Sequence, residues 1–219
     1  MKIGTDGVLL GAWANIDHKP NAILDIGAGT GILSLMLAQR STAENLEAIE
    51  IDEGAYEQCV ENFEASPWAD RLFCYHAGLD EFLEAPEEPY DLIISNPPFY
   101  TEAVPSGNEP RDRARQNRSL PFEELLEGAS KLLSPEGLFS TVIPFKEEAE
   151  FVTLAASFGL FPSSILRVRG NPLTALKRSL LEFRFKEDKV MENELTIEVK
   201  RHTYTKEYIE LTKAFYLNM

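Results

Sequence analysis

Apolar positions follow two alternating rhythms through the first two thirds of this chain. Short apolar or alternating runs at residues 22–26, 46–51, 71–75 and 90–95 read as strands. Between them, residues 31–39 and 53–64 carry apolar side chains at helical spacing, and a short helix fits between the third and fourth runs. Residues 122–133 then read as a helix opened by Ser119 or Leu120 and Pro121, 137–143 as a strand, and 147–158 as a helix. Strand–helix alternation of this kind predicts a parallel sheet with helices on both faces. The tail changes pattern. Residues 164–168, 179–185 and 195–200 read as strands with no long helix between the last two, so an antiparallel edge strand is expected. Asn171 and Pro172 interrupt that tail, and residues 204–216 close it as a helix with Thr205 as its N-cap.

Composition narrows the class. At 219 residues, without internal repeat or low-complexity linker, the chain is expected to form one domain over residues 1–219. No apolar run approaches the ~20 residues that span a bilayer, and no signal-peptide pattern opens the chain. Cys59 and Cys74 have no histidine clustered near them, so buried thiols rather than a metal site are expected. A monomer in the cytoplasm, with no membrane contact, is the expectation. The net charge of −15 argues against a nonspecific nucleic-acid binder, whose footprint is basic. Positive charge is uneven, however: Arg111, Arg113, Arg115 and Arg118 fall within eight residues. Such a run reads either as a solvated loop or as a phosphate-holding surface.

Three segments carry candidate chemistry. Asp25-Ile26-Gly27-Ala28-Gly29-Thr30-Gly31 follows the first strand and opens a helix. Its glycines permit a tight turn and leave backbone N–H groups open to a ligand. The spacing is G-x-G-x-G rather than G-x-G-x-x-G, which weakens a dinucleotide reading. About 20 residues on, Glu50 and Asp52 share one face at the end of the second strand. A carboxylate there can accept both hydroxyls of a ribose; Glu50 suits that role, and Asp52 suits the cap of the next helix. The third segment, Asn96-Pro97-Pro98-Phe99, ends the fourth strand. Alone it reads as a turn. It also offers a shelf of acceptors, the Asn96 side-chain oxygen and the Pro97 carbonyl, beside the flat face of Phe99. Proline adds no competing N–H donor, so the shelf suits a planar NH2 group.

Together these segments resemble the S-adenosylmethionine-dependent methyltransferases that act on exocyclic or amide nitrogen. Residues 1–13, the arginine-rich run into Ser119-Leu120-Pro121-Phe122, and the ending from Tyr204 through Tyr208 to Leu217 are similar to one branch. That branch is the bacterial tRNA(Val) adenine-N6 methyltransferases, which modify the adenine 3′ of the anticodon (position 37). The resemblance implies a Rossmann-like fold of seven strands, doubly wound and mostly parallel, the last strand antiparallel. It implies S-adenosylmethionine as cofactor, held by Asp25, Gly27, Gly29, Gly31 and Glu50, with Thr5 at its amino-acid end. Asp80 either contacts the cofactor adenine or caps a short helix. The target amine would meet Asn96, Pro97 and Phe99, and tRNA phosphates would meet Arg111, Arg113, Arg115 and Arg118, with Lys177 and Arg178 extending that surface or simply standing at the start of a strand. The branch's aromatic-rich stretch ahead of the segment matching Met1 does not occur in this sequence, so a downstream start or a trimmed chain is expected. The same quartet also occurs in release-factor glutamine and rRNA guanine-N2 methyltransferases, which remain alternatives at this point.

Overall fold

The structure, a computed structural model, describes residues 4–84, 88–98 and 120–217. Phe99 and the arginines at 111, 113, 115 and 118 lie outside the described residues. In chain order the elements are α1 (Thr5–Trp13), β1 (Ala22–Ile26), α2 (Ile32–Arg40), β2 (Asn45–Glu50), α3 (Glu53–Glu64), β3 (Leu72–His76), α4 (Leu79–Leu83) and β4 (Tyr90–Ser95). There follow α5 (Phe122–Leu132), β5 (Leu133–Pro144), a 3-10 turn (Phe145–Glu147), α6 (Glu148–Ser157), β6 (Phe161–Arg169), β7 (Leu176–Arg184) and β8 (Met191–Thr196). A small hairpin, β9 (Glu198–Lys200) with β10 (Thr203–Tyr204), leads into α7 (Lys206–Thr212).

Among the described residues, eight strands form one sheet in the order β3-β2-β1-β4-β5-β7-β6-β8. The reversed strand expected in the tail is β7, antiparallel to β5 and β6. It lies two places in from the edge, because β8 pairs in parallel with β6 and extends the sheet. The apolar stretch at 195–200 is divided between two sheets: β8 stops at Thr196, and Glu198–Lys200 pairs instead with Thr203–Tyr204.

Strand periodicity explains why the central strands read as unbroken apolar runs. Ile23, Leu92 and Ile94 face one core cluster with Leu33, Leu37 and Phe63. Their neighbours Leu24 and Ile93 face the other, with Leu125, Leu126 and Phe151. Both faces are buried, so both sets of alternating positions must be apolar. Fully buried leucines of this kind each contribute about 1.5–3 kcal/mol.

Helix α1 has no counterpart among the elements expected from periodicity. Residues Gly7 to Ala12 are all buried, so no polar stripe marks a helical face. Its two glycines set the packing. A Cβ at Gly7 would stand 3.6 Å from Ile32 Cγ2, and one at Gly11 only 2.7 Å from Met36 Sδ. The four-residue spacing on both helices lets α1 lie close along α2. Val8 and Ala12 complete this contact with Met36, while Leu211 and Phe215 pack on from the C-terminal segment.

Candidate active site at the carboxyl ends of the strands

Register brings the three candidate segments together. Ile26 of β1 pairs with Ile49 of β2 on one side and Ser95 of β4 on the other. The next residue of each strand is therefore Gly27, Glu50 and Asn96, side by side at the carboxyl rim. β1 and β4 flank the point where the strand order reverses, the crevice in which open α/β sheets bind ligands. Ser95 Oγ donates to Ile26 O at 2.8 Å and fixes the two strand ends against each other.

The turn after β1 is built from left-handed glycines, with φ of 72°, 59° and 75° at Gly27, Gly29 and Gly31. Only glycine adopts such values without steric cost. The first and last serve opposite needs. A Cβ at Gly27 would meet nothing within 4 Å, so bare backbone faces open space. One at Gly31 would collide with the Phe63 ring and stand 2.8 Å from Cys59 Sγ, so this glycine lets the turn press onto α3. Asn62 of α3 donates to Thr30 O at 2.9 Å from the same direction.

Glu50 clamps this turn. Its Oε2 accepts from Gly29 N and its Oε1 from Asp52 N, both at 2.8 Å. Asp52 caps α3, accepting from Ala55 N at 3.0 Å, as its sequence position suggests. Asp25 is wholly buried below the turn, where its Oδ2 accepts from Ser34 Oγ at 2.9 Å and Ser34 N at 3.2 Å. Asp25 Oδ1 has no partner among the described residues. Burial pushes its carboxyl up from 3.8 to about 7; the Ser34 bonds oppose that rise and the charge of Glu50 adds to it.

Beyond Glu50, an open cleft of about 580 Å³ is lined by Ile51, Asp52, Glu53, Gly54 and His76. Ile51 is 58% exposed, an apolar surface against which a flat ring can rest. His76 stacks on Tyr56 at 5.1 Å. Asp80 is also on this side. The N-terminus of α4 is closed by Gly78, whose N–H donates to Glu81 Oε2 at 3.1 Å, so Asp80 is not the cap. Its Oδ1 stands 2.5 Å and Ile51 Cδ1 3.6 Å from where a Gly78 Cβ would be. Gly78 thus leaves room for Asp80 and Ile51 to flank the same spot.

Asn96 is half-buried, Pro97 buried and Pro98 exposed. Helix α1 adjoins this shelf: a Cβ at Gly7 would lie 3.7 Å from Asn96 Nδ2. Thr5, exposed, is the first residue of α1. The next residue, Asp6, forms an ion pair with Arg178 Nε at 2.8 Å. Of the two cations expected to meet RNA at the start of β7, Lys177 is exposed, whereas Arg178 is engaged with α1. That ion pair, helix α1 and the cleft at Ile51 and His76 escape a reading of the sequence, although the four-residue spacing of Gly7 and Gly11 signals a close helix contact.

Residues 7–163 match the methyltransferase small domain family. The chain belongs to that family. A tRNA1(Val) (adenine(37)-N6)-methyltransferase from Flavobacterium johnsoniae is 61% identical over 220 residues, covering 100% of this chain and 94% of its own length. One of the same description from Flavobacterium psychrophilum is 60% identical over 219 residues, with the same coverage. Among solved structures, a predicted O-methyltransferase from Agrobacterium tumefaciens superposes with a TM-score of 0.72 at 20% identity, over 95% of this chain and 96% of that one. That likeness is one of fold. This methyltransferase uses S-adenosylmethionine as its methyl donor, and the residues present fit that donor. The turn at Gly27 opens onto free space, Glu50 stands fixed at its edge, and Ile51 and His76 line an open cleft beyond. Among the described residues no helix is long and apolar enough to cross a membrane, and no group of three or more His, Cys, Asp or Glu could hold a metal ion.

Proposed function

We propose that this methyltransferase transfers a methyl group to the N6 amino group of adenine 37 in tRNA(Val), acting as a single domain and a monomer in the cytoplasm. The observation that carries the reading is the register at the rim: Asn96 stands immediately beside Gly27, so an amine held by Asn96 lies next to the turn that holds the donor. Two relatives of that description at about 60% identity support the choice of substrate.

The donor supplies an electrophilic methyl group on a sulfonium. Glu50 holds the ribose hydroxyls, with its geometry fixed by the Gly29 and Asp52 amides. Gly27, Gly29 and Gly31 shape the backbone around the donor, and Asp25 acts from below by anchoring Ser34 of α2. Asp80 and Ile51 border the adenine end, and Thr5 the amino-acid end. At the acceptor, the adenine amine is a weak nucleophile because its lone pair is delocalised into the ring. Asn96 Oδ1 and the Pro97 carbonyl accept its two N–H bonds and favour the pyramidal nitrogen of the transition state, a preorganised electrostatic effect. Phe99 stacks on the base, worth ~1–3 kcal/mol by analogy with single-strand sites. The four arginines at 111, 113, 115 and 118 hold phosphates of the loop, from which the base is flipped more cheaply than from a duplex.

The test is transfer of labelled methyl from S-adenosylmethionine to two tRNA(Val) transcripts, one with adenine and one with guanine at position 37. Incorporation into the first alone, recovered as N6-methyladenosine, is expected. Equal labelling of both transcripts rules the reading out. Asn96→Ala should lower turnover by on the order of 100-fold or more, as expected for removing a transition-state hydrogen bond, while leaving donor affinity within a few-fold.

A further inference from the structure

The carboxyl rim of the sheet is divided by charge. On the β2–β3 side it carries Glu50, Asp52, Glu53 and Asp80, the side that holds the donor. On the far side of Asn96, the strand order runs β5-β7-β6-β8, and three arginines there are engaged by carboxylates. Arg167 pairs with Glu148 and Glu192, Arg169 with Glu194, and Arg178 with Asp6. These hold the fold together. Lys177, Lys200 and Arg201 are exposed and form no ion pair among the described residues.

Lys200 and Arg201 stand on the β9–β10 hairpin, and the chain directs that hairpin to this rim. β8 runs parallel to β6, so its end at Thr196 lies level with Arg169 at the carboxyl end of β6. Ile197 N and Glu198 N then donate to Arg169 O and Gly170 O, carrying the chain past the rim. Thr203 pairs back to Lys200, leaving Arg201 and His202 as the two-residue tip. His202 sits at φ 61°, and its N–H donates to Glu198 Oε1 at 3.2 Å. The return is pinned by Thr205, whose N–H donates to Ile197 O and whose Oγ1 donates to Thr196 O at 2.6 Å. The tip is a short, internally bonded turn beside α7, which itself packs on α1 next to Asn96.

We infer that the β9–β10 hairpin is an RNA-backbone contact, Lys200 and Arg201 engaging phosphates of the tRNA whose base lies at Asn96, with Lys177 between them. This rests on the tRNA reading and extends it to Lys200 and Arg201, which lie outside the segments that carry the family resemblance. Strand spacing puts the start of β7 about 10 Å and β8 about 19 Å from β4, a few nucleotides' reach from the reacting base. A polyanion approaching a chain of net charge −15 needs such unpaired cations on the side it docks, away from the acidic half of the rim.

The experiment is anisotropy titration of labelled tRNA(Val) with the full chain across 50–200 mM salt, for the native protein and Lys200→Gln/Arg201→Gln. Loss of two phosphate contacts should flatten the slope of log affinity against log salt by about 1.4–1.8, with roughly tenfold weaker binding. Affinity for S-adenosylmethionine, measured by calorimetry, should stay as it was. Lys131→Gln/Lys189→Gln removes the same charge from the amino-terminal rim and should leave the slope unchanged. Equal slopes for the native protein and the hairpin variant overturn the inference, as does an equal flattening in the Lys131/Lys189 control. A native protein that methylates tRNA while its hairpin variant keeps the slope overturns the hairpin alone; one that neither binds nor methylates tRNA overturns the substrate reading as well.

Discussion

The glycine turn after β1 and helix α1 meet over the same strand ends but are held by different means. Seven consecutive residues and one carboxylate make the turn: left-handed glycines, with Gly29 bonded to Glu50. Its geometry is set locally and its failure modes are steric. Helix α1 has no such internal fixation. It lies where Gly7 and Gly11 let it approach α2, where Asp6 finds Arg178, and where α7 packs against it. Rigid local geometry suits the part that shapes a donor pocket. A cover assembled from distant parts suits the part beside the acceptor shelf, where substrate must enter.

The strongest way to break the turn is at its crowded end. Gly31→Ala combines a left-handed backbone with a clash against Phe63 and Cys59 Sγ, and should cost roughly 2–5 kcal/mol, read from the urea midpoint. Gly27→Ala, with the same backbone but open space, should cost only about 1–2 kcal/mol while weakening donor binding. A reversed ranking of the two in stability would contradict the assigned packing.

Asp25 gives the turn a pH signature. Its folded carboxyl is held at about 7 against 3.8 for the free group. Below about pH 4 both states bind the proton. Between about 4 and 7 the unfolded chain releases it and the native chain keeps it, so stability falls as pH rises, and levels off above 7. The slope from this group is at most about 1.4 kcal/mol per pH unit, and Asp25→Asn should remove it. Denaturant midpoints of both proteins at pH 5, 6 and 8 read this directly; parallel curves would contradict it.

Smaller effects should follow on the α1 side. Gly11→Ala places a Cβ 2.7 Å from Met36 Sδ, the end of a flexible side chain that can move, so about 1 kcal/mol is expected. Asp6→Asn breaks a partly exposed pair and should cost under ~1 kcal/mol of global stability. Local protection of α1 against hydrogen exchange should nevertheless fall in both, with that of β1 and α2 kept. Equal loss in all three elements would show that cover and turn are one cooperative unit.

The same contrast decides what could be read in the sequence. The strands at 22–26 and 90–95, the glycine turn and the Asp52 cap are legible because their causes lie within a few residues of each other. Thr205 as N-cap is of this kind, accepting from Tyr208 N at 3.2 Å. Asp80 is ambiguous in sequence because its neighbour Glu81, also acidic, is the residue whose side chain closes the α4 N-terminus. Helix α1 was invisible as a helix because burial on all sides erases its amphipathic period. The engagement of Arg178 by a carboxylate 172 residues away leaves no local trace, so Arg178 reads as a free surface cation next to Lys177.

That pairing has a consequence in time. Helix α1 leaves the ribosome long before Arg178, which lies 172 residues after Asp6, and before the α7 segment that also secures it. The cover beside Asn96 can be completed only once β7 and α7 have been made. A nascent chain that has not yet reached β7 therefore holds α1 unlatched beside the pocket, and the arrival of Arg178 and α7 closes it.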